Sequence, residues 1–493
     1  MSYQDFIKEV KALNTLSCIS GLLQWDQQTQ MPKKCLEQRA QQSELLSGLV
    51  HQRFTSPKLG EMLAALTEAK NWGALSEVEQ VNVREVKRAY DRAVKLPTRL
   101  VQEISRVCSL GNEAWAEARQ KNQYELFASW LEQQIKLQRE AAQCYGFANA
   151  YDGLMDEYEP GSSAAEVEKL FARLKKDLIP LAGWAQEQCQ QAKQSPVVGK
   201  FPRAVQEKVS KILLGKMGFD LESGRLDTAV HPFCIGLAGD VRLTTRYDEE
   251  DFRPAFYGTI HEGGHGLYEQ GFLPEHRNTP MGQATSLGIH ESQSRFWENV
   301  IGRSHPFCKH MLPVLKQSFP QEFASVTEEQ LFWWVNQVRP SLIRVEADEV
   351  TYHLHILLRF ELEQAMIDGS VSVKELPHLW NEKMKQYLGL NPPTETLGIL
   401  QDVHWSIGSI GYFSTYTLGS LYAAQWMRRM KQEMPNCESR IANGELLPIR
   451  DWLREKIHHR GQYFRATELC KDVTGEPLNP QYFVDYIREK FSG

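Results

Sequence analysis

No stretch of this sequence approaches the roughly 18 consecutive apolar residues needed to span a bilayer, so a membrane-embedded chain is not expected. The cysteines form no CxxC pair. There are nine, an odd number, scattered from Cys18 to Cys470. They read as free thiols in a reducing cytoplasm, not as a disulfide framework. No block of lysine and arginine marks a nucleic-acid surface, and no acidic tail marks a charged partner. The 56 basic and 62 acidic residues are spread along 493 positions and leave a net charge of −6. The start, Met1-Ser-Tyr-Gln, lacks the basic-then-apolar order of a secretory leader, which adds to the expectation of a cytoplasmic protein. Internal repeats and low-complexity tracts are lacking too. What remains is an ordinary globular composition, long enough for one large domain or two to three smaller ones.

Most of the chain reads as helix. Leu36, Ala40, Leu45, Leu46, Leu49 and Val50 recur at helical spacing, and residues 1 to about 190 look almost wholly helical. Trp25-Asp26 through Met31-Pro32 should break a first hairpin, and Gly153 to Gly161 reads as a loop. Ser163 with Glu166 forms a capping box opening a helix that Pro180 should kink or end. Ser195-Pro196 to Phe201-Pro202 is a turn-rich connector. Thr327 with Gln330 caps a further helix that Pro340 stops, and a long segment from Ile343 to Asp368 ends at Gly369. The one plausible sheet lies in Arg225 to Arg246, rich in β-branched and apolar residues and broken by Gly236 and Gly239. Such a strand could pair with a peptide backbone or simply support its neighbours.

Immediately after that sheet comes His261-Glu262-Gly263-Gly264-His265. Residues four apart share a helix face, so the two imidazoles can grip one metal ion. Glu262 then falls beside the ion, where a general base acting on water is needed. Each glycine costs a helix interior about 1 kcal/mol relative to alanine, so two of them point to a close approach of backbone or substrate. A catalytic zinc takes three protein ligands, and two histidines leave the sphere incomplete. The segment His290-Glu291-Ser-Gln-Ser, after a crossover containing Pro274, Pro280 and Gly282, is the best source of the third. Spacing alone leaves Glu291, His290 and the more distant His276 open. His353 and His355, two apart, point to different helix faces and make poor joint ligands.

The pair of segments His261-Glu-Gly-Gly-His265 and His290-Glu291-Ser-Gln-Ser resembles the M32 metallocarboxypeptidases, the carboxypeptidase Taq type. The likeness extends in family order to His231-Pro-Phe, Asp240-Val-Arg242-Leu-Thr244, Ile343-Arg344-Val-Glu-Ala-Asp348 and Gly398-Ile-Leu-Gln401-Asp402-Val-His404-Trp405. Trp25-Asp26 and Tyr158-Glu-Pro-Gly161 are similar as well, so nearly the whole chain is covered. Gly266 and Ser414 depart from the pattern, where Ala and Pro would be expected.

The resemblance implies a mainly α fold: a large helical single unit over residues 1–493, with a deep groove and a small β-sheet beside the site. Residues 1–190 would wall the groove and 191–493 would carry the metal part. It implies one divalent metal, zinc first and cobalt as the alternative, held by His261, His265 and Glu291. It implies removal of single residues from peptide C-termini with broad preference, and commonly a homodimer. Arg344 is the expected anchor for the terminal carboxylate, since arginine's fork suits it; a surface pair with Asp348 is the plainer alternative. Arg242 is the secondary candidate. His404 and Tyr412 are expected to serve the oxyanion, with Tyr416 on the substrate side; His231 and Asp240 would shape the site. An oligopeptidase of related fold, or an inactive metal-stabilised interaction protein, are the other readings. Glu262 tells against the last, because a structural ion needs no base.

Overall fold

The computed structural model describes residues 2–192 and 197–492. Helix starts follow the capping chemistry. Ser163 with Glu166 opens the helix Ala164–Gln191, and Thr327 with Gln330 opens Glu328–Val335, each through reciprocal side-chain and backbone bonds. Helix breaks depart from the residues that suggest them. The first helix, Tyr3–Thr29, runs on through Trp25 and Asp26, and the chain turns only just before Pro32. Asp26 is held there by Arg39 of the next helix at 2.6 Å. The helix Ala164–Gln191 passes through Pro180 without ending. Pro180 lies on the exposed face, where water can serve the carbonyl freed at Lys176. Leu174, Leu178, Leu181 and Ala185 hold both halves against the core.

Three other expectations are corrected. The stretch from Gly153 begins inside a short helix, Ala150–Met155, capped by Asn149, before it turns. The segment from Ile343 is not one helix: a 3₁₀ turn at Arg344–Glu346 precedes the helix Tyr352–Asp368, which ends at Gly369 with φ 86°. Asp348 causes the interruption by accepting the backbone N–H groups of Arg339, Val350 and Thr351. The helix before it stops at Val335, well ahead of Pro340, where the Asn336 amide bonds the carbonyls of Arg303 and Phe332. Of the connector, Ser195 and Pro196 lie outside the described residues.

The one sheet among the described residues has three strands: β1 (Gly224–Thr228), β2 (Cys234–Leu237) and β3 (Asp240–Thr245), in the order β1-β3-β2. β2 and β3 form a tight antiparallel hairpin, and β1 runs parallel to β3. The turn needs Ala238 and Gly239 both at positive φ, 54° and 118°. Val241 and Leu243 of β3 are fully buried. One core cluster runs from Ala118 to Phe491, and a smaller one gathers Phe6, Val10, Leu13, Leu59 and Leu63 among the N-terminal helices. The helix Leu36–Phe54 forms as its spacing suggests but buries none of its residues, leaving Leu36, Leu45 and Leu49 exposed. No helix among the described residues is long and apolar enough to cross a membrane.

Candidate metal centre and active site

His261 and His265 sit on the helix Arg253–Glu269, which starts with Pro254 in its first turn. Glu291 comes from the helix Leu287–Arg295, which continues as a π-helical segment, Phe296–Gly302. The two helices meet at Gly264. A β-carbon there would lie 2.6 Å from the Gln293 carbonyl oxygen and 2.7 Å from the Ser294 α-carbon, so only glycine lets the backbones come this close.

The approach sets the donors. The Nε2 atoms of His261 and His265 lie 3.9 and 3.4 Å from one Glu291 oxygen, and the donor atoms of all three lie within 4.8 Å of one another. A tetrahedral ion with bonds of about 2.1 Å separates its ligands by about 3.4 Å, so two nitrogens and a carboxylate at these spacings suit a divalent ion. His261, His265 and Glu291 form the one such group found among the described residues. His290, one residue from Glu291, turns away, with its two nitrogens on His265 and Glu269. His276 lies in the turn Pro274–His276 and is not in the group. His353 and His355 have separate surroundings, with His353 bonded to Thr417.

The far side of each ring is occupied as well. His261 Nδ1 meets Glu298 at 2.8 Å, and His265 Nδ1 meets His290 at 2.6 Å. Glu291 also accepts from Arg295 Nε at 2.6 Å and from the Ser294 hydroxyl. Burial works against the charge on both carboxylates. For Glu291, Arg295 and His261 outweigh it; for Glu298, His261 and Arg303 do, so both stay well below the usual carboxylate range. Burial pushes His265 down to about 3, leaving a neutral imidazole fit to ligate. For His261 burial is outweighed by Glu291 and Glu298, which raise it. Glu262, 6% exposed, is pushed up to about 7 by burial and by Glu291 and Glu298, against the pull of His261.

A second cluster stands beside this one. Arg344 is buried and pairs with Asp402 at 2.8 Å, while its NH1 donates to the Tyr352 hydroxyl at 2.8 Å. The expected alternative pair with Asp348 does not form, because Asp348 is spent on backbone groups and Thr351. Arg359 shares Asp402 from the other side. The rings of Tyr416 and Phe413 flank the Arg344 guanidinium at 5.1 and 5.6 Å. His404 Nε2 lies 3.3 Å from the Tyr416 hydroxyl, and its ring contacts Tyr412 and Phe413. Tyr352 joins the two clusters, with the Arg295 guanidinium over its ring at 4.5 Å. Tyr158 of the N-terminal part packs edge-on to Tyr412 at 5.2 Å.

Arg242 pairs with Asp240 at 2.7 Å and lies over Trp25 at 4.2 Å. His231 is exposed. Sequence reasoning missed Glu298, Arg295 and Tyr352. Glu298 follows Glu291 by seven residues, two helical turns, and that spacing was the available signal.

A sequence model described as Carboxypeptidase Taq (M32) metallopeptidase matches residues 5–491. The chain belongs to the M32 family. It is 41% identical to thermostable carboxypeptidase 1 of Thermus thermophilus, over all of this chain and 98% of that one. It is 39% identical to carboxypeptidase 1 of Bacillus subtilis, over 99% and 98% of the two chains. Among solved structures, a Pyrococcus furiosus carboxypeptidase superposes with a TM-score of 0.95 at 39% identity, covering 99% of this chain and 98% of the other. This M32 protein is therefore a metallocarboxypeptidase, mainly helical with a small sheet, and its family implies a divalent metal. The three clustered donors fit such an ion.

Proposed function

We propose that this enzyme removes residues one at a time from peptide C-termini with broad preference, using Glu262 as base and Arg344 as carboxylate anchor. The observation that carries the reading is the pairing of a His-His-Glu donor group with a buried arginine, joined through Tyr352. His261, His265 and Glu291 would hold the ion, zinc first and cobalt as the alternative. When bound, it supplies Lewis-acid polarisation of the scissile carbonyl and acidifies water. Glu262 takes the proton of the attacking water and delivers it to the leaving amine. A carboxyl pushed up to about 7 by burial can hold that proton between the two transfers.

Arg344 offers a free edge. Asp402 accepts from Nε and lies 2.8 Å from NH2, and Tyr352 accepts from NH1, so the two terminal nitrogens keep N–H groups for a substrate carboxylate. Arg242 stays the secondary candidate for this contact, paired with Asp240 and lying over Trp25. Burial, then the charge of Glu291, pushes the Tyr412 hydroxyl up to about 12, so it keeps its proton and can donate to the developing oxyanion. His404, pushed down to about 4 by burial, is neutral and donates from one nitrogen. Tyr416 steadies the bound carboxylate beside Arg344. The N-terminal helices, residues 1–190, wall the groove, in keeping with Tyr158 against Tyr412. The exposed leucines of Leu36–Phe54 supply a face for a homodimer. Thiol cysteines such as Cys18, Cys108 and Cys234 support a cytoplasmic setting.

The test is to strip the protein with a chelator, reload it with zinc or cobalt, and analyse a digested peptide mixture by mass spectrometry. Ladders shortened one residue at a time from the C-terminus, and only with metal, are expected. Internal fragments would reject this reading in favour of an oligopeptidase.

A further inference from the structure

The two ligand histidines are braced differently. His261 Nδ1 reaches a carboxylate directly, Glu298 at 2.8 Å. His265 Nδ1 reaches another imidazole, His290 Nδ1 at 2.6 Å, whose Nε2 lies 2.8 Å from Glu269. We propose that His290 and Glu269 act as a relay that fixes the tautomer of His265, strengthens it as a donor, and so sets how tightly the centre holds its metal. The proposal rests on the reading that His265 ligates through Nε2.

The proton count follows from that reading. A ring that gives its Nε2 lone pair to an ion carries its proton on Nδ1. Two nitrogens 2.6 Å apart can share one proton and have no room for two, so His290 accepts at Nδ1. Its own proton is then on Nε2, pointed at Glu269. Both hydrogen bonds run toward the carboxylate, which draws the Nδ1 proton away from His265 and enriches its Nε2 lone pair.

The surroundings keep the relay in place. Glu269 lies four residues after His265 on the same helix, so the chain of bonds leaves that helix through His290 and returns to it one turn later. The Tyr268 ring packs on His290 at 5.2 Å and on His458 at 5.0 Å. β2 closes over the other end, where a β-carbon at Gly236 would strike the Glu269 carboxylate. His290 and Glu269 side chains are 19% and 21% exposed, so solvent screening is partial. His290 precedes Glu291 on one helix. That helix thereby supplies one ligand and the orienter of another, and a shift of the helix would disturb both.

The test measures zinc affinity of the stripped full-length protein by competition with a chelator at one fixed pH, with thermal melting of each metal-free variant as control. Glu269→Gln, nearly isosteric, should weaken zinc about tenfold, and His290→Ala between about ten- and a hundredfold. Added imidazole should restore zinc binding to His290→Ala but not to Glu269→Gln, which a purely structural role for His290 would not produce. The double variant should be no weaker than His290→Ala alone, because a broken relay cannot be broken twice. Wild-type affinity in Glu269→Gln, or losses that add in the double variant, would overturn the relay. His265→Ala separates this from failure of the ligand reading. If it keeps full affinity, His265 is no ligand; if it loses zinc while the other two keep it, only the relay is wrong.

Discussion

The guanidinium of Arg344 carries five N–H groups, and hydrogen bonds inside the protein account for two. Asp402 accepts from Nε and the Tyr352 hydroxyl from NH1, with NH2 2.8 Å from the same Asp402 oxygen. NH1 and NH2 keep N–H groups for a substrate carboxylate, which a guanidinium can grip with two parallel bonds. Arg344 is 6% exposed and ringed by Tyr352, Phe413 and Tyr416, so water screens the contact little. A hydrogen bond to a charged group is worth about 1.5–3 kcal/mol, which corresponds to roughly ten- to a hundredfold in kcat/KM. A peptide ending in an amide lacks the charge and should react slower by that factor. Arg344→Lys keeps a cation beside Asp402 but loses the fork. Arg344→Ala leaves Asp402 to Arg359, whose NH2 sits at 2.5 Å, so the buried carboxylate retains a partner and the fold should survive a measurable loss. The assay is kcat/KM for one peptide as acid and as amide, in wild type and both variants, with a melt of each. The acid rate should fall and the amide rate should not. Equal penalties for amidation in wild type and variants would remove Arg344 as anchor. Equal acid and amide rates in wild type would refute trimming from the C-terminus altogether.

Glu262→Gln should keep close to one metal per chain and lose about 10²–10⁴-fold in kcat, measured by metal analysis beside steady-state kinetics; a metal-free variant would make Glu262 a ligand. Gly264→Ala should push the Gln293–Ser294 backbone aside, cost about 1–3 kcal/mol in urea unfolding and lower metal occupancy; normal occupancy would deny that the close approach sets the donors. Glu159 is buried against the start of the Glu291 helix and pushed up to about 7 by burial, against the pull of its bonds to Gly288 and Ser286. A folded-state value above the ordinary 4.5 means the native state holds the extra proton, so stability present at low pH is lost as pH rises from about 4.5 through 7. Glu159→Gln should therefore flatten stability between pH 5 and 8 by a few kcal/mol, read by urea unfolding, and an unchanged slope would refute it.

What the sequence makes legible here is local. Helix starts at Ser163 and Thr327 are written in four residues, and so is the histidine pair, because hydrogen bonds and side-chain faces repeat within one turn. Pro180 misleads because its cost depends on which face it occupies, and that is a tertiary fact. The Ile343–Asp368 segment misleads because Asp348 bonds backbone groups that periodicity ignores. Asp402 between Arg344 and Arg359 joins residues about half a hundred positions apart, beyond any spacing rule.

The choice between His290 and Glu291 marks the boundary most clearly. Neighbours on a helix point about 100° apart, so at most one can face the donor pair, and nothing in the five residues says which. The rotation of one helix against the other decides it. That rotation is fixed where Gly264 admits the Gln293–Ser294 backbone, 2.6–2.7 Å from where a β-carbon would stand. The double glycine was visible in the sequence as a sign of close approach, yet not what approached. Once the partner is the backbone two to three residues beyond Glu291, the same contact that brings Glu291 to the histidines swings His290 behind His265, onto Glu269.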